Sequence, residues 1–128
     1  MLNKPRGNLS IQITAMPADT NGNGDIFGGW LVSHMDLAGS CEASLRSRTR
    51  VVTVAINSMT FIRPVSVGDI VCCYTELLKV GRTSMQINIE VWTMSLRRED
   101  KLKVAEGIFT YVAIDDQGKP QPVDKGLT

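Results

Sequence analysis

The sequence predicts an α+β domain in which one long helix packs against an antiparallel sheet of five strands. Apolar residues recur with helical spacing in only one region, which follows residue 26, and from residue 51 onward the pattern is that of strands. A chain of 128 residues can bury one real core but is too short for two domains of ordinary size. We therefore take residues 1–128 as a single domain.

A short strand and a loop open the chain. Leu9 to Thr14 alternates, with Ile11 and Ile13 on one face, as is typical of a strand. Ala15 to Gly29 is rich in proline and glycine and is predicted to be a loop.

The helix that follows carries apolar residues on nearly all of its faces. Leu31, Met35 and Ala38 share one of its faces, and Arg46 and Arg48 come after the apolar part, as suits a helix C-terminus. A sheet packed on one side of such a helix leaves apolar surface uncovered. We expect the sheet to wrap around the helix and a partner to cover the rest, which makes the protein an obligate oligomer. The alternative is a monomeric α+β domain whose helix packs on one sheet face.

The segment after the helix is predicted to be the central strand of the sheet. Val51 to Ile62 is β-branched on both faces, a pattern that indicates burial on both sides. Arg63 to Asp69 is the turn that ends it.

The last part of the chain is predicted to contain three more strands. Ile70 to Val80 and Thr83 to Ser95 form a hairpin around Gly81 and Arg82. The charged segment Arg97 to Lys101 is interpreted as a solvated turn, and the last strand is predicted over 102–114.

Composition argues against several classes of protein. Lysine and arginine number 14 against 13 acidic residues, so the net charge of +1 favours neither nucleic acid nor an anionic membrane. No apolar run is long enough to span a bilayer and the N-terminus lacks the apolar core of a signal peptide, so we expect a cytoplasmic protein.

The cysteines and the single histidine suggest no metal site. Cys72 and Cys73 would point to opposite faces of a strand, and with Cys41 they are interpreted as buried, reduced, structural thiols. His34 is interpreted as a packing or capping residue, since a lone histidine seldom catalyses. No cofactor is expected.

Asp36 is the strongest candidate for a functional residue. It is the only acidic residue between Ile26 and Cys41. A carboxylate in such apolar surroundings must be hydrogen-bonded, shifted in pKa, or placed where water or a ligand reaches it.

Four segments in order resemble the acyl-coenzyme A thioesterases of the hotdog fold, in particular the short bacterial type of broad specificity. They read NGDIFGGW, then MD, then RVVTVAINSMTFIRPVSVGD, then KVGRTSMQI, within residues 9–115. The resemblance implies a subunit that pairs with a second copy so that two sheets join into one continuous sheet. It also implies a hexamer built as a trimer of dimers, active sites at the dimer interface, and thioesters of coenzyme A as substrates.

The resemblance places the catalytic carboxylate at Asp36, which can act as general base or as nucleophile. The turn at Gly28 and Gly29 leads into the helix N-terminus, where free amides can stabilise the oxyanion of a thioester carbonyl. Asp25 aligns with a loop position thought to work opposite that carboxylate from the other subunit; the alternative is a turn or N-cap residue. Thr53 can orient the water that attacks the thioester, or it is simply a residue type that suits a strand.

Coenzyme A carries phosphates, so its site needs cations and donors placed locally. Arg82, Thr83 and Ser84 are predicted to meet the pantetheine and phosphates, with Arg63 as a further candidate, although Arg82 also suits an ordinary hairpin. The remaining predicted substrate contacts are polar or lie in the glycine-rich loop: Asn23, Phe27, Asn57 and Ser58.

Two other functions remain as alternatives. A hydratase or dehydratase of acyl thioesters usually relies on a histidine in the helix-entry region, where this chain has Asp25 and Phe27. A non-catalytic acyl-coenzyme A sensor is the second, because a fold alone does not imply catalysis.

Overall fold

The computed structural model describes residues 4–124, and its elements follow the predicted order of one strand, one helix and four strands. The helix α1 is preceded by a short 3₁₀ turn at Pro17–Asp19. The strands and the helix are β1 (Asn8–Thr14), α1 (Gly28–Ser47), β2 (Arg50–Phe61), β3 (Ile70–Val80), β4 (Ser84–Ser95) and β5 (Arg98–Ile114).

The strands form one antiparallel sheet in the order β1-β3-β4-β5-β2. The helix α1 contacts all five strands, so the sheet wraps around it as predicted. The α+β class and the β3–β4 hairpin are thereby confirmed. Within residues 4–124, no helix combines the length and hydrophobicity needed to cross a membrane.

The core lies between the helix and the inner face of the sheet. Met35 and Ala38 of α1 are fully buried against Ile89 of β4 and Phe109 of β5. The predicted buried face of the helix is therefore confirmed, since Leu31 also lies in this cluster.

The prediction that β2 is a central strand is wrong for the single chain. Within residues 4–124, β2 pairs with β5 alone and forms one edge of the sheet. Val52, Val54 and Ile56 are exposed on it. Its β-branched residues on both faces reflect an apolar edge, which the sequence pattern alone does not distinguish from a buried strand.

The charged segment Arg97–Lys101 is also not a turn. The turn consists of residues 96 and 97, and β5 begins at Arg98, which pairs with Ser95. The strand therefore starts four residues before the predicted Leu102. Charged side chains fit there because the tip of this hairpin is exposed, so strand pairing overrides their low strand propensity.

The helix ends differ in detail from the prediction. α1 begins at Gly28, inside the predicted loop, with Phe27 at the N-cap. It ends at Ser47, and the C-cap Arg48 has a left-handed φ of 58° and donates its backbone amide to the carbonyl of Ser44 at 2.7 Å. Glycine usually occupies such a left-handed position, so the basic residues Arg46 and Arg48 were the sequence signal for this end.

Cys72 and Cys73 lie on opposite faces of β3, as predicted, and both are buried. Burial raises the pKa of the Cys73 thiol to about 12, so this thiol stays protonated and unreactive. Cys41 is exposed, and the prediction that it is buried is wrong.

Candidate active site

Two hydroxyl groups converge on one carboxylate oxygen of Asp36. Thr53 Oγ1 donates to Asp36 Oδ1 at 2.7 Å. The Tyr111 hydroxyl lies 3.1 Å from the same oxygen and 3.0 Å from the backbone carbonyl of Asp36. Within residues 4–124, neither of these hydroxyls contacts Oδ2, so this second oxygen is left available for chemistry.

The sheet places both hydroxyls by strand pairing. Thr53 of β2 and Tyr111 of β5 are direct cross-strand partners, so their side chains project from the same face toward the helix. The register shifts just after Thr53, between Thr53 and Ala55. Such a bulge changes the direction of neighbouring side chains, and here it lies beside the Asp36 contact.

Asp36 lies at the boundary between the core and the surface. On α1 it stands between Met35, which is fully buried, and Leu37, which is 55% exposed. The Asp36 side chain itself is half-buried and Thr53 is exposed, so a ligand from outside the chain can reach the carboxylate.

Tyr111 is fully buried, in contrast with Thr53. Burial raises the pKa of Tyr111, and the negative charge of Asp36 and its hydrogen bond raise it further. The phenol therefore stays protonated and acts as a hydrogen-bond donor. The spacing of Phe109, Tyr111 and Ala113 suits a core face of a strand, so this polar role could not be predicted from the strand pattern.

A second group of predicted site residues surrounds the N-terminus of α1. A pocket of about 380 Å³ lies there, lined by Asn21, Asp25, Ile26, Gly28, Leu31, Phe61, Ile62, Arg63, Pro64 and Val65. The amides of Trp30 and Leu31 donate to the carbonyl of Phe27, whereas those of Gly28 and Gly29 have no backbone acceptor within residues 4–124. These two amides are the free donors expected at a helix start.

Gly28 is closely confined by its surroundings. A Cβ atom at this position would lie 3.3 Å from the ring of Phe61. Gly29 has no atom within 4 Å of such a Cβ position. A side chain at residue 28 would therefore fill the pocket beside the free amides, whereas one at residue 29 would project into open space.

Asp25 lies in the pocket but does not cap the helix, because the N-cap is Phe27. The Asp25 backbone bridges to Ser66, and its carbonyl accepts the amide of Asn21 at 2.8 Å. The alternative that Asp25 is the N-cap is therefore wrong, and its backbone instead forms an isolated β-bridge in the loop that precedes the helix.

Asn21, which the sequence reasoning missed, also lines the pocket. Asn23, which was predicted to bind substrate, lies outside it and donates its backbone amide to Asn21 Oδ1 at 2.9 Å. The spacing of the NGNGD turn does not show which of its two asparagines faces the helix N-terminus.

The two halves of the candidate site are far apart within one chain. Gly28 and Asp36 are separated by eight residues of the same helix. At 1.5 Å per residue this is about 12 Å, so the glycine amides and the Asp36 carboxylate of one chain cannot both act on one carbonyl group.

The hairpin residues lie at the other end of the molecule from this pocket. Ser84 pairs with Val112, and the carbonyl of Thr83 accepts the amide of Ala113, near the end of β5. Arg82 is exposed there. Arg63, in contrast, lines the pocket beside Gly28 and donates to the backbone carbonyl of Lys103.

The other predicted residues lie around these two regions. Asn57 and Ser58 are exposed on β2, and Asn57 Oδ1 accepts from Thr110 Oγ1. Phe27 is exposed at the helix start. His34 packs against Trp30 with ring centroids 4.3 Å apart, which supports a packing role.

A helix wrapped by a five-stranded sheet, with one helix carboxylate held at the boundary between core and surface, is the arrangement expected for a hotdog-fold thioesterase. Comparison with known proteins agrees with this class. Residues 23–98 match the model of the thioesterase superfamily. The chain is 52% identical over 126 residues to the acyl-CoA thioester hydrolase YciA of Salmonella typhimurium, with 96% of this chain and 95% of that protein covered.

Solved structures show the same fold. The hexameric thioesterase from Yersinia pestis is 50% identical, with a TM-score of 0.91 and coverage of 96% of this chain and 100% of that one. The hexameric hotdog fold thioesterase of Campylobacter jejuni is 38% identical, with a TM-score of 0.88 and coverage of 94% and 93%. The chain belongs to the thioesterase superfamily, and the resemblance and enzyme class predicted from the sequence are confirmed.

Proposed function

We propose that this protein hydrolyses acyl-coenzyme A thioesters at sites shared between two copies of the chain. In each site Asp36 comes from one copy, and Gly28 and Gly29 come from its partner. The observation that carries the proposal is the Asp36 carboxylate, which has Oδ1 bonded by two hydroxyls and Oδ2 left for the reaction. The relatives named as acyl-CoA thioester hydrolases support the choice of substrate.

The reaction needs a base or nucleophile together with donors for the oxyanion. With Asp36 as base, Oδ2 takes a proton from water while the water oxygen bonds to the thioester carbonyl carbon. The negative charge that develops on the carbonyl oxygen is stabilised by the free amides of the helix N-terminus. The C–S bond then breaks, and the proton passes from Asp36 to the leaving sulfur, which yields the acid and coenzyme A.

With Asp36 as nucleophile, Oδ2 bonds to the carbonyl carbon and the thiolate leaves, so a mixed anhydride forms. Water then cleaves the anhydride, which releases the acid and restores the Asp36 carboxylate, and the remaining proton of that water goes to the coenzyme A thiolate. Both routes use the same ionised oxygen. In either route Thr53 orients the carboxylate, and Asp25 is proposed to act from the partner's pocket.

The free edge of β2 is the proposed contact between the two copies. Joining two β2 edges pairs their unused backbone groups and covers Val52, Val54 and Ile56, giving one continuous sheet. A two-fold axis at this edge runs the two helices in opposite directions, so the N-terminus of one helix can approach Asp36 of the other. Because the similar solved structures are named as hexameric, we propose a trimer of such dimers.

The coenzyme is proposed to bind along the rim of this shared site. Arg63 lines the same pocket as Gly28, and Arg82 with Thr83 and Ser84 supplies a second group of donors near the Thr53–Tyr111 pair. Asn57 and Ser58 lie on the free β2 edge between copies, with Asn23 and Phe27 beside the helix start.

The test is a panel of acyl-coenzyme A esters from acetyl to palmitoyl, assayed for free thiol with wild-type protein and with Asp36→Asn. We expect thiol release by the wild type and a loss on the order of 100-fold or more in the variant. If the variant retains more than about a tenth of the wild-type rate, Asp36 does not have its assigned role. Binding without turnover would identify a sensor, and loss of enoyl absorbance without thiol release would identify a hydratase.

A further inference from the structure

We infer that Tyr111 is a positioning residue that locks the Asp36 carboxylate and makes Oδ2 its only reacting oxygen. The inference rests on the proposed function and adds to it, because the sequence reasoning and the comparisons assign no role to residue 111. It concerns how the carboxylate is held, and not which reaction it performs.

The contacts of Tyr111 fix both ends of the Asp36 residue. Its hydroxyl lies 3.0 Å from the Asp36 backbone carbonyl and 3.1 Å from Oδ1, so one donor ties the side chain to its own backbone. A carboxylate held in this way cannot exchange its two oxygens by rotation without breaking the contact. Oδ1 is therefore the anchored oxygen, and within residues 4–124 the phenol makes no hydrogen bond to Oδ2.

Thr53 alone is poorly suited to hold the carboxylate. Although its hydroxyl also bonds Oδ1, Thr53 is exposed and water can compete for that bond. Tyr111 is fully buried, and its ring lies 6.4 Å from that of Phe109 in a stacked arrangement. The rigid surroundings of the phenol make it the more persistent of the two donors.

Gly39 provides the space that the phenol occupies. A Cβ atom at residue 39 would lie 2.3 Å from the Tyr111 hydroxyl oxygen. Gly39 stands on α1 three residues after Asp36, so both lie on the same side of the helix, and both approach Tyr111 of β5. The absent side chain at residue 39 thus allows the hydroxyl to reach the Asp36 backbone carbonyl.

The test variant is Tyr111→Phe, which removes the hydroxyl and keeps the ring. We expect kcat for acyl-coenzyme A esters to fall by about 10-fold while KM changes little, since a hydrogen bond to a charged group is lost and no substrate contact is removed. The melting temperature is measured alongside, to separate loss of catalysis from loss of folding.

The matched control is Tyr74→Phe. Tyr74 is the only other tyrosine of the chain and lies on the same sheet, but its hydroxyl contacts Lys101 and not Asp36. Tyr74→Phe should leave kcat unchanged. If it lowers kcat as much as Tyr111→Phe does, the loss reflects general damage to the sheet and the inference is wrong.

A double variant separates this inference from the proposed function. If Tyr111 acts through Asp36, adding Tyr111→Phe to Asp36→Asn should not lower the residual rate any further. An inactive Asp36→Asn protein together with a Tyr111→Phe protein of wild-type kcat would overturn the role of Tyr111 and leave the proposed function standing. A fully active Asp36→Asn protein would instead remove the proposed function itself.

Discussion

Gly28 and Asp36 lie on the same helix but about 12 Å apart, which is farther than one reacting carbonyl group can span. In the proposed site, the free amides come from the helix start of one copy and the held carboxylate comes from the middle of the helix of a second copy. Two variants that each lack one of these halves should therefore complement each other.

Mixing two inactive variants should restore part of the activity. Asp25→Ala impairs the pocket at the helix start, and Asp36→Ala removes the carboxylate, so in a mixed dimer one of the two sites keeps both residues intact. We expect neither variant alone to hydrolyse acyl-coenzyme A well. An equimolar exchanged mixture should recover up to about a quarter of the wild-type activity, because about half of its dimers are mixed and each mixed dimer has one intact site of two. The measurement is thiol release after subunit exchange.

Exchange must be verified, for example by mass spectrometry of differently tagged copies. The control is a mixture of Asp36→Ala with itself, carrying the two tags. If mixed dimers form and remain inactive, Asp25 and Asp36 act within one chain or Asp25 has no role.

Recognition of the coenzyme should depend more on Arg63 than on Arg82. Arg63 lines the pocket that contains Gly28, whereas Arg82 is at the opposite end of the chain from that pocket. We expect Arg63→Ala to raise KM for coenzyme A esters by about 10-fold or more and to affect N-acetylcysteamine thioesters little, because these lack the phosphates. The two KM ratios are the measurement.

Arg63→Lys serves as the control for charge, since Arg63 also donates to the carbonyl of Lys103. A lysine keeps the charge but not the planar donor geometry of arginine. Equal increases in KM for coenzyme A esters and for N-acetylcysteamine thioesters would show that Arg63 is structural. If Arg82→Ala raises KM for coenzyme A esters more than Arg63→Ala does, the phosphates bind at the hairpin.

How far the sequence predicts this site depends on the kind of signal each residue carries. Asp36 could be predicted because it is an isolated carboxylate on an apolar helix, and Gly28 and Gly29 because their turn leads into the N-terminus of that helix. Thr53 was proposed through the family resemblance, and the structure places its hydroxyl 2.7 Å from Asp36. Its role in orienting water stays a prediction.

Tyr111 was missed because its position follows an ordinary strand alternation. A tyrosine flanked by Phe109 and Ala113 on one face is indistinguishable from a packing residue until the helix is placed against it. Asn21 was missed for a related reason, because turn geometry decides which asparagine faces the pocket. Side-chain direction in a turn is a tertiary property.

The error over β2 has a different origin. Its residues predict burial on both faces, but within the single chain β2 is an edge strand with apolar side chains exposed. The sequence pattern shows that a surface is apolar. It does not show whether the same chain or a second chain covers that surface. The predicted need for a partner came instead from the helix, which carries apolar residues on nearly all of its faces.

A charge on the β2 edge should therefore dissociate the assembly. Ile56 is 48% exposed, and Ile56→Lys would place an unpaired ammonium in the proposed contact, which is costly to bury. We expect a smaller species by light scattering and a loss of thiol release, because each site needs two copies. Leu78→Lys is the control, since Leu78 is similarly exposed at 40% but lies on β3, away from this edge. An Ile56→Lys protein of wild-type size and activity would place the contact elsewhere.

The contact between Tyr111 and Asp36 can be measured without any assay of activity. The chain has two tyrosines, so a Tyr74→Phe background leaves Tyr111 as the only phenol to titrate. Burial first, then the charge of Asp36 and its hydrogen bond, raise the pKa of Tyr111, and the charge of Cys41 adds to these. Ultraviolet titration should therefore show ionisation well above the ordinary tyrosine pKa of about 10.

Adding Asp36→Asn to this background removes the negative charge but keeps the burial. The pKa of Tyr111 should then fall, yet remain above the ordinary value, because the tyrosinate no longer faces a carboxylate while desolvation still opposes its charge. Thr53→Val is the matched control: it removes the other hydroxyl but leaves the Asp36 charge in place, so the Tyr111 pKa should stay high. A Tyr111 titration that Asp36→Asn leaves unmoved would mean that the phenol does not face the carboxylate, and the anchoring of Oδ1 would have to be assigned to Thr53 alone.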